Sequence, residues 1–266
     1  MIRIRGRGVL YGEIWHDEQP RGATGVDIVV YVHRPAPFRG HRSTPFLSLV
    51  ADLSAEENVI AQRFDETCRY QIRRAEAKDA LQVETMRDPE RRLDDFVAFF
   101  NAFANQKSLA AADPEWLRAA CRSRQLALTC ASGNGEALVW HAYVLSGSTA
   151  MLLHSGSRFR NRDGAYRSLV GRANRLLHWK DMLWFRKLGM TRYDWGGLFE
   201  DESTPERAGI NRFKKSFGGE LARSYDCAVP MTLRGRIYLP LRDAWRRFKS
   251  ASAMRNRAPW GKSRAQ

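Results

Sequence analysis

The stretch that most constrains this chain runs from Tyr193 to Gly219: YDWGG, a short acidic loop, then INRFKKSFGGEL. It sets a strand end, an Asp between aromatic residues (Asp194), a Gly pair, a basic helix and a second Gly pair in close succession. Glycine at a strand end lets the backbone splay or come close to a ligand. Gly218 and Gly219 stand where a helix C-cap belongs. Packing alone gives little reason for two Gly pairs around a lysine-bearing helix. A ligand threaded between strand and helix would need both.

The rest of the chain frames that stretch. Its 266 residues suit one large domain or two small ones, and a 44% hydrophobic share is enough for a core. Lys and Arg number 44 against 29 Asp and Glu, a net charge of +15. Such a surface attracts anionic partners: RNA, anionic lipid head groups, CoA phosphates or nucleotide-sugar carriers. Cys68, Cys121, Cys130 and Cys227 lack metal-type spacing and read as free thiols of a reducing cytoplasm. The first residues, MIRIRGRGVLYG, hold no continuous apolar run, so they do not read as a signal peptide. No segment is apolar over the roughly 18–20 residues that a spanning helix needs. The expectation is a cytoplasmic protein, soluble or peripheral at the inner face of a membrane.

Periodicity gives the order of elements. Strands are expected at 9–15, 26–33 and 46–53, then a helix opened by Ser54 with Glu57 as a capping box, and a short strand at 81–86. Helices follow at 91–106 and 114–124, the second with Asp113 as N-cap. Three strands come next (126–131, 138–145, 150–155), separated by Gly-bearing turns. A polar loop, a long helix (164–188), a strand (192–195), a helix (205–217) and a strand (221–227) complete the order.

At this point the residues carry a resemblance. YDWGG followed by FKKSFGG resembles the C-terminal signature of the FemAB-like branch of the GNAT acyltransferase superfamily. Asp52-Leu53-Ser54 with Arg69-Tyr70-Gln71-Ile72-Arg73-Arg74-Ala75 resembles an upstream helix of the same family. The likeness covers roughly residues 45–228 and implies an α/β (α+β) fold, a GNAT-type mixed sheet flanked by helices. It also implies three parts: a shortened N-terminal GNAT-like half (1–88), an acyltransferase domain (89–232) and a basic amphipathic tail (233–266).

Acyl transfer needs a held donor, a polarised carbonyl and a route for the nucleophile's proton. By resemblance, the donor pyrophosphate rests at the N-terminus of the long helix, here Arg158, Arg160, Arg162 and Gly164, with Gly196 and Gly197 lining the donor's path. The loop departs from the family's Q/R-x-x-G-x-G/A pattern, with Asn161 at its first position and Tyr166 at its last. A solvated basic loop is the competing reading. Lys214 matches the family's helix lysine and would face the activated carbonyl or a donor phosphate; a pair of exposed lysines is the alternative. Asp194 is either a general base or the anchor of the following Gly-Gly turn. His141, on the middle of the three strands, is the leading candidate for proton transfer, with His154 at the next strand's end also placed for it. Arg69, Arg73 and Arg74 could clamp an acceptor's diphosphate, or form a salt-bridged face. No metal is expected, since no HExxH or Cys/His ligand spacing is present.

The resulting expectation is transfer of an acyl or aminoacyl group to an amine or hydroxyl of a cell-envelope precursor. Acyl-CoA or aminoacyl-tRNA would be co-substrate, with no tightly bound cofactor. The tail's Leu239, Leu241, Trp245 and Phe248, among many Arg and Lys, read as a contact for an anionic membrane surface through 240–266. The oligomeric state stays open. The rival expectation is a non-catalytic RNA- or membrane-binding module on the same scaffold.

Overall fold

The computed structural model describes residues 1–16, 25–159 and 163–255, with 245–255 as backbone alone. Its elements are β1 (Ile2–Gly6), β2 (Val9–Trp15), β3 (Ile28–Arg34), β4 (Ser43–Asp52), α1 (Glu57–Gln62), α2 (Glu66–Lys78) and β5 (Gln82–Met86). They continue with α3 (Leu93–Gln106), α4 (Pro114–Arg122), β6 (Leu126–Gly133), β7 (Glu136–Ser146), β8 (Thr149–Ser157), α5 (Gly164–Lys187), β9 (Arg192–Gly197), α6 (Pro205–Lys215), β10 (Glu220–Pro230) and α7 (Leu233–Arg255). Contacts divide the described residues into a larger unit, within 47–222, and a smaller one, within 1–46 and 223–255. This division differs from expected boundaries at 88 and 232. The reason is that β5 pairs with β6 and α2 packs along α5, which draws residues 47–88 into the larger unit.

In the larger unit the strands lie in the order β4-β9-β8-β7-β6-β5. All neighbours are antiparallel except β8 and β9, which run parallel. Antiparallel neighbours need only a tight turn, and Asn134-Gly135 supplies it between β6 and β7. A parallel pair needs a crossover, and α5 provides it. Alternation along β7 then sorts the two faces: Trp140 meets Phe96 of α3, while His141 and Tyr143 meet α5. Both faces are therefore covered, which explains why β7 is buried from Leu138 through Leu145. This mixed sheet flanked by helices is the expected fold class.

The helix expected from Ser54 is two helices, and its capping box does not form. Ser54 gives both its backbone N–H and its hydroxyl to Asp52 Oδ1, an Asx-type turn. α1 starts later, and the chain restarts at α2 with Asp65 as N-cap, accepting from the Cys68 N–H.

The smaller unit has the order β1-β2-β3-β10, with β2 and β3 parallel and β10 antiparallel to β3. α7 packs against β2.

Candidate active site

The pairing of β8 with β9 ends at Met151↔Asp194, although β8 continues to Ser157 and β9 to Gly197. Past that point the two strands no longer share a ladder. The YDWGG segment sits at this parting. Gly196 has φ +69°, and a Cβ there would lie 2.9 Å from the Leu152 carbonyl oxygen, so only glycine fits. Gly219 makes a similar demand, with φ +105° and a Cβ 2.9 Å from the Val50 carbonyl oxygen. The second Gly pair is thus explained by close backbone approach, Gly219 to β4 and Gly218 to the Arg63 carbonyl, rather than by a helix cap alone.

Asp194 is buried beneath this strand end. The Gly196 N–H donates to its Oδ1 at 2.8 Å and the Ser48 hydroxyl to its Oδ2 at 3.2 Å. Burial pushes its carboxyl up to about 6, against the pull of those hydrogen bonds and of Lys214. Lys214 is buried at 8% exposure, and its Nζ donates to the Gly197 carbonyl at 2.7 Å. Burial lowers its ammonium to about 8, with Asp194 pulling the other way. Lys215, one residue on, is exposed and pairs with Glu202 at 3.2 Å. Asn211, which sequence reasoning passed over, aims this helix. Its amide clamps the Phe199 backbone from both sides, at 3.1 and 2.8 Å, and reaches Glu202 at 2.7 Å. The segment after Gly197 is thereby stapled to α6, and Lys214 is carried to the strand end.

Next to this lies a buried polar network. His141 Nδ1 and the Tyr143 hydroxyl both meet Asp181 Oδ2, at 2.8 and 2.5 Å. Tyr143 and Tyr193 join hydroxyl to hydroxyl at 2.7 Å, and Tyr193 meets His178 Nδ1 at 2.7 Å. One direction of donation satisfies the chain: His178 N–H to Tyr193, Tyr193 to Tyr143, Tyr143 to the carboxylate. Burial holds both phenols far above their ordinary range and His178 well below its own, so all three stay neutral. His141, His178 and Asp181 bring metal-type donors within 4.8 Å of one another. The His rings, however, stack 4.0 Å apart with planes 23° from parallel, so their in-plane lone pairs do not converge on one point. His141 meets Asp181 at Oδ2 only, and the group reads as a hydrogen-bond network in which Asp181 Oδ1 is buried without a partner among the described residues.

His141, the expected proton carrier, is fully buried. It reaches the exterior through Asn174, whose Oδ1 is 2.8 Å from His141 Nε2 and which lines a cleft of about 440 Å³. The cleft also presents Ser157, Phe159, Gly164, Arg167 and Gly171. Ser157 and Arg158 border a second cleft of about 600 Å³ beside α3, with Phe99, Phe103 and Trp140. Arg167 and Asn174 were not anticipated. Their signal was present, since Arg167, Gly171, Asn174, His178 and Asp181 recur every three or four residues along one helix face.

The expected donor loop is placed in part. Gly164 opens α5 with free space around it and lines the smaller cleft. Asp163 caps the helix, its carboxylate accepting from the Tyr166 N–H at 2.8 Å, so one of the amides an anion would use is taken. Arg158 pairs with Glu136 at 2.9 Å and lies over the Phe99 ring. Arg160 and Arg162 lie outside the described residues. His154 sits among Phe96 and Phe100, where burial drops it to about 4, which suits a neutral structural ring rather than a base at neutral pH. The three upstream arginines do not converge. Arg69 is spent on the Gln62 carbonyl at 3.1 Å and on that of Phe64, while Arg73 and Arg74 are exposed.

Cys68, Cys130 and Cys227 are buried and Cys121 half-buried, all free. Burial pushes Cys68 and Cys130 up to about 12, so they are poor nucleophiles. Among the described residues, no helix is long and apolar enough to cross a membrane.

Known proteins bear on this geometry. FemX shares the fold with a TM-score of 0.56 at 15% identity; the match covers 72% of this chain and 63% of the FemX chain. The C-terminal domain of a putative lysylphosphatidylglycerol synthetase from Agrobacterium fabrum aligns at TM-score 0.48 and 13% identity, covering 76% of this chain and 67% of that one. L-PGS from Bacillus licheniformis aligns at 0.49 and 12%, covering 77% and 69%. No curated protein matches by sequence. The family model described as acetyltransferase (GNAT) domain matches residues 62–215, from the end of α1 to the last residue of α6 and so including the parted strands and Lys214. The chain therefore belongs to the acetyltransferase (GNAT) domain family.

Proposed function

We propose that this protein moves an acyl or aminoacyl group from an activated donor to an amine or hydroxyl of a cell-envelope precursor, with Lys214 stabilising the oxyanion. The observation that carries the reading is Lys214 itself: a buried ammonium held on Gly197 at the place where β8 and β9 part. A cation with little water around it acts strongly on charge that develops nearby. As the carbonyl carbon is attacked, its oxygen gains negative charge, and Lys214 is placed to leave the Gly197 carbonyl for it. Asp194 holds the Gly196 turn and keeps Lys214 from losing more of its charge. The nucleophile's proton would leave to solvent through the cleft at Asn174, whose amide His141 and Asp181 hold in place.

Acyl-CoA is the co-substrate of the family and the first donor to test, with aminoacyl-tRNA as the second. Arg158 and Gly164, joined by Arg167, support an anionic donor at the start of α5. The fold likeness to FemX supports an envelope acceptor, with Arg73 and Arg74 exposed on α2 for its phosphates. The same reading gives a transferase domain followed by a basic tail, in a cytoplasmic protein that works at the inner face of the membrane.

The test is Lys214→Met. Folding and donor binding should stay near wild type while kcat falls roughly a hundredfold or more, the size expected for one lost oxyanion donor. Lys215→Met is the control and should change little. Full activity in Lys214→Met would refute the assignment and favour the binding-module reading.

A further inference from the structure

The smaller unit presents a surface that acyl transfer does not use. α7 packs one side on its own unit: Gly235 is buried, Tyr238 and Leu239 are half-buried, Tyr238 meets Tyr11 edge-on at 6.2 Å, and Arg242 pairs with Asp243 at 2.9 Å. At 100° per residue these positions cluster on one side of the helix. The opposite side carries Leu233 at 73% exposure, Ile237 at 57% and Leu241 at 64%, one turn apart. Pro240 and Ala244 share this face and are also exposed. On the same helical wheel, Arg234 borders the stripe on one edge, with one guanidinium nitrogen donating to the Gly8 carbonyl at 3.2 Å, and Arg236 on the other, both exposed. Of the apolar side expected from the sequence, Leu241 lies on this outward face and Leu239 on the packed one, while the side chains of Trp245 and Phe248 lie outside the described residues.

Single exposed apolar residues are ordinary, but three large aliphatic side chains in one stripe are not. The flanking arginines select among possible occupants. A second copy would set this basic border against its own like charges. RNA would engage the arginines and leave the aliphatic stripe without a use. An anionic lipid surface suits both, taking the stripe into the acyl boundary and the guanidiniums among the head groups. Arginine's long stem lets the charge stay at that level while the stripe inserts. From Leu233 to Arg255 the sequence holds Asp243 as its sole acidic residue, and that one is paired with Arg242.

We infer that the outward face of α7, built on Leu233, Ile237 and Leu241 between Arg234 and Arg236, seats this protein on an anionic membrane surface. The inference rests on α7 alone and does not depend on Lys214, the donor or the acceptor.

The experiment is flotation of the full chain with vesicles of equal parts phosphatidylglycerol and phosphatidylcholine, and with phosphatidylcholine alone. The wild type should float with the anionic vesicles and largely stay behind with the neutral ones. Leu233→Ser/Ile237→Ser/Leu241→Ser should lower binding at least tenfold, since each buried methylene contributes a factor of about four. Arg234→Gln/Arg236→Gln should lower it roughly twentyfold or more at low salt, from about a fivefold factor per basic residue. All five positions are exposed, so thermal melting should stay within a few degrees of wild type, and the arginine pair keeps the test open if the serine variant misfolds. Anionic-vesicle binding that neither variant weakens would overturn the inference. So would a dimer in sedimentation velocity that the serine variant dissociates, which would give the face to a second copy. An RNA complex lost in the arginine variant, with no vesicle binding by wild type, would overturn it too.

Discussion

At the level of single residues, Lys214 and Asp194, the pair on which the proposed chemistry turns, carry opposed burial costs. Each is shifted toward its neutral form by desolvation and drawn back by the other. Transfer that needs the ammonium should slow as pH rises through about 8, and transfer that needs the carboxylate should slow as pH falls through about 6. A kcat–pH profile of wild type should therefore be bell-shaped between those limits. The residual activity of Lys214→Met should lose the alkaline limb and keep the acid one. Stability carries the matching signs. The folded chain binds Lys214's proton less well than the unfolded chain does, so stability rises with pH from about 8 to 10.5. It binds Asp194's proton better, so stability falls as pH rises from 3.8 to about 6. Melting temperatures of Lys214→Met and Asp194→Asn across those windows check both slopes.

At the level of elements, α5 is the part on which the site depends. Its inner face meets β7 and β9 through the Asp181, His178 and Asn174 contacts. Its outer side is tied to the C-cap of α2 by a two-pronged Arg172–Asp79 pair, at 2.6 and 2.9 Å. Removing the Tyr193 hydroxyl would strip both Tyr143 and His178 of a partner inside a dry core. Tyr193→Phe should therefore destabilise by about 1–3 kcal/mol, read by thermal or urea unfolding. Lys180→Ala, which breaks the exposed Lys180–Glu76 pair on the same helix, should cost no more than about 1 kcal/mol. Equal losses in the two variants would mean that the buried chain of hydroxyls contributes nothing special.

At the level of the whole molecule, the +15 charge separates the candidate donors. A tRNA held through about six phosphates would lose on the order of a thousandfold in affinity between 50 and 200 mM salt, and CoA, with few phosphates, far less. Titrations of both at two salt concentrations should show a steep slope for one ligand or a shallow one for the other. Binding of both that ignores salt would remove the anionic-donor reading. Much of this molecule was legible before folding. The hairpins from β6 to β8 were readable because turn glycines and alternating apolar residues act over a few positions. The strand end and its lysine were readable because YDWGG and FKKSFGG lie within one short span, so local spacing already fixes what can meet. Ser54 misled because Asp52, two residues away, offered a nearer partner than a helix cap. The Asn174–His141–Asp181–Tyr143–Tyr193–His178 network was not legible as a unit. His141 and Asp181 stand 40 positions apart, and Tyr143 and Tyr193 50. Sequence determined which segments would be strands and helices, and where glycine had to stand. Tertiary structure alone decided which polar groups would be buried together, because that follows from the crossover that lays α5 across β7 and β9, and pattern along one segment carries no information about distance between segments.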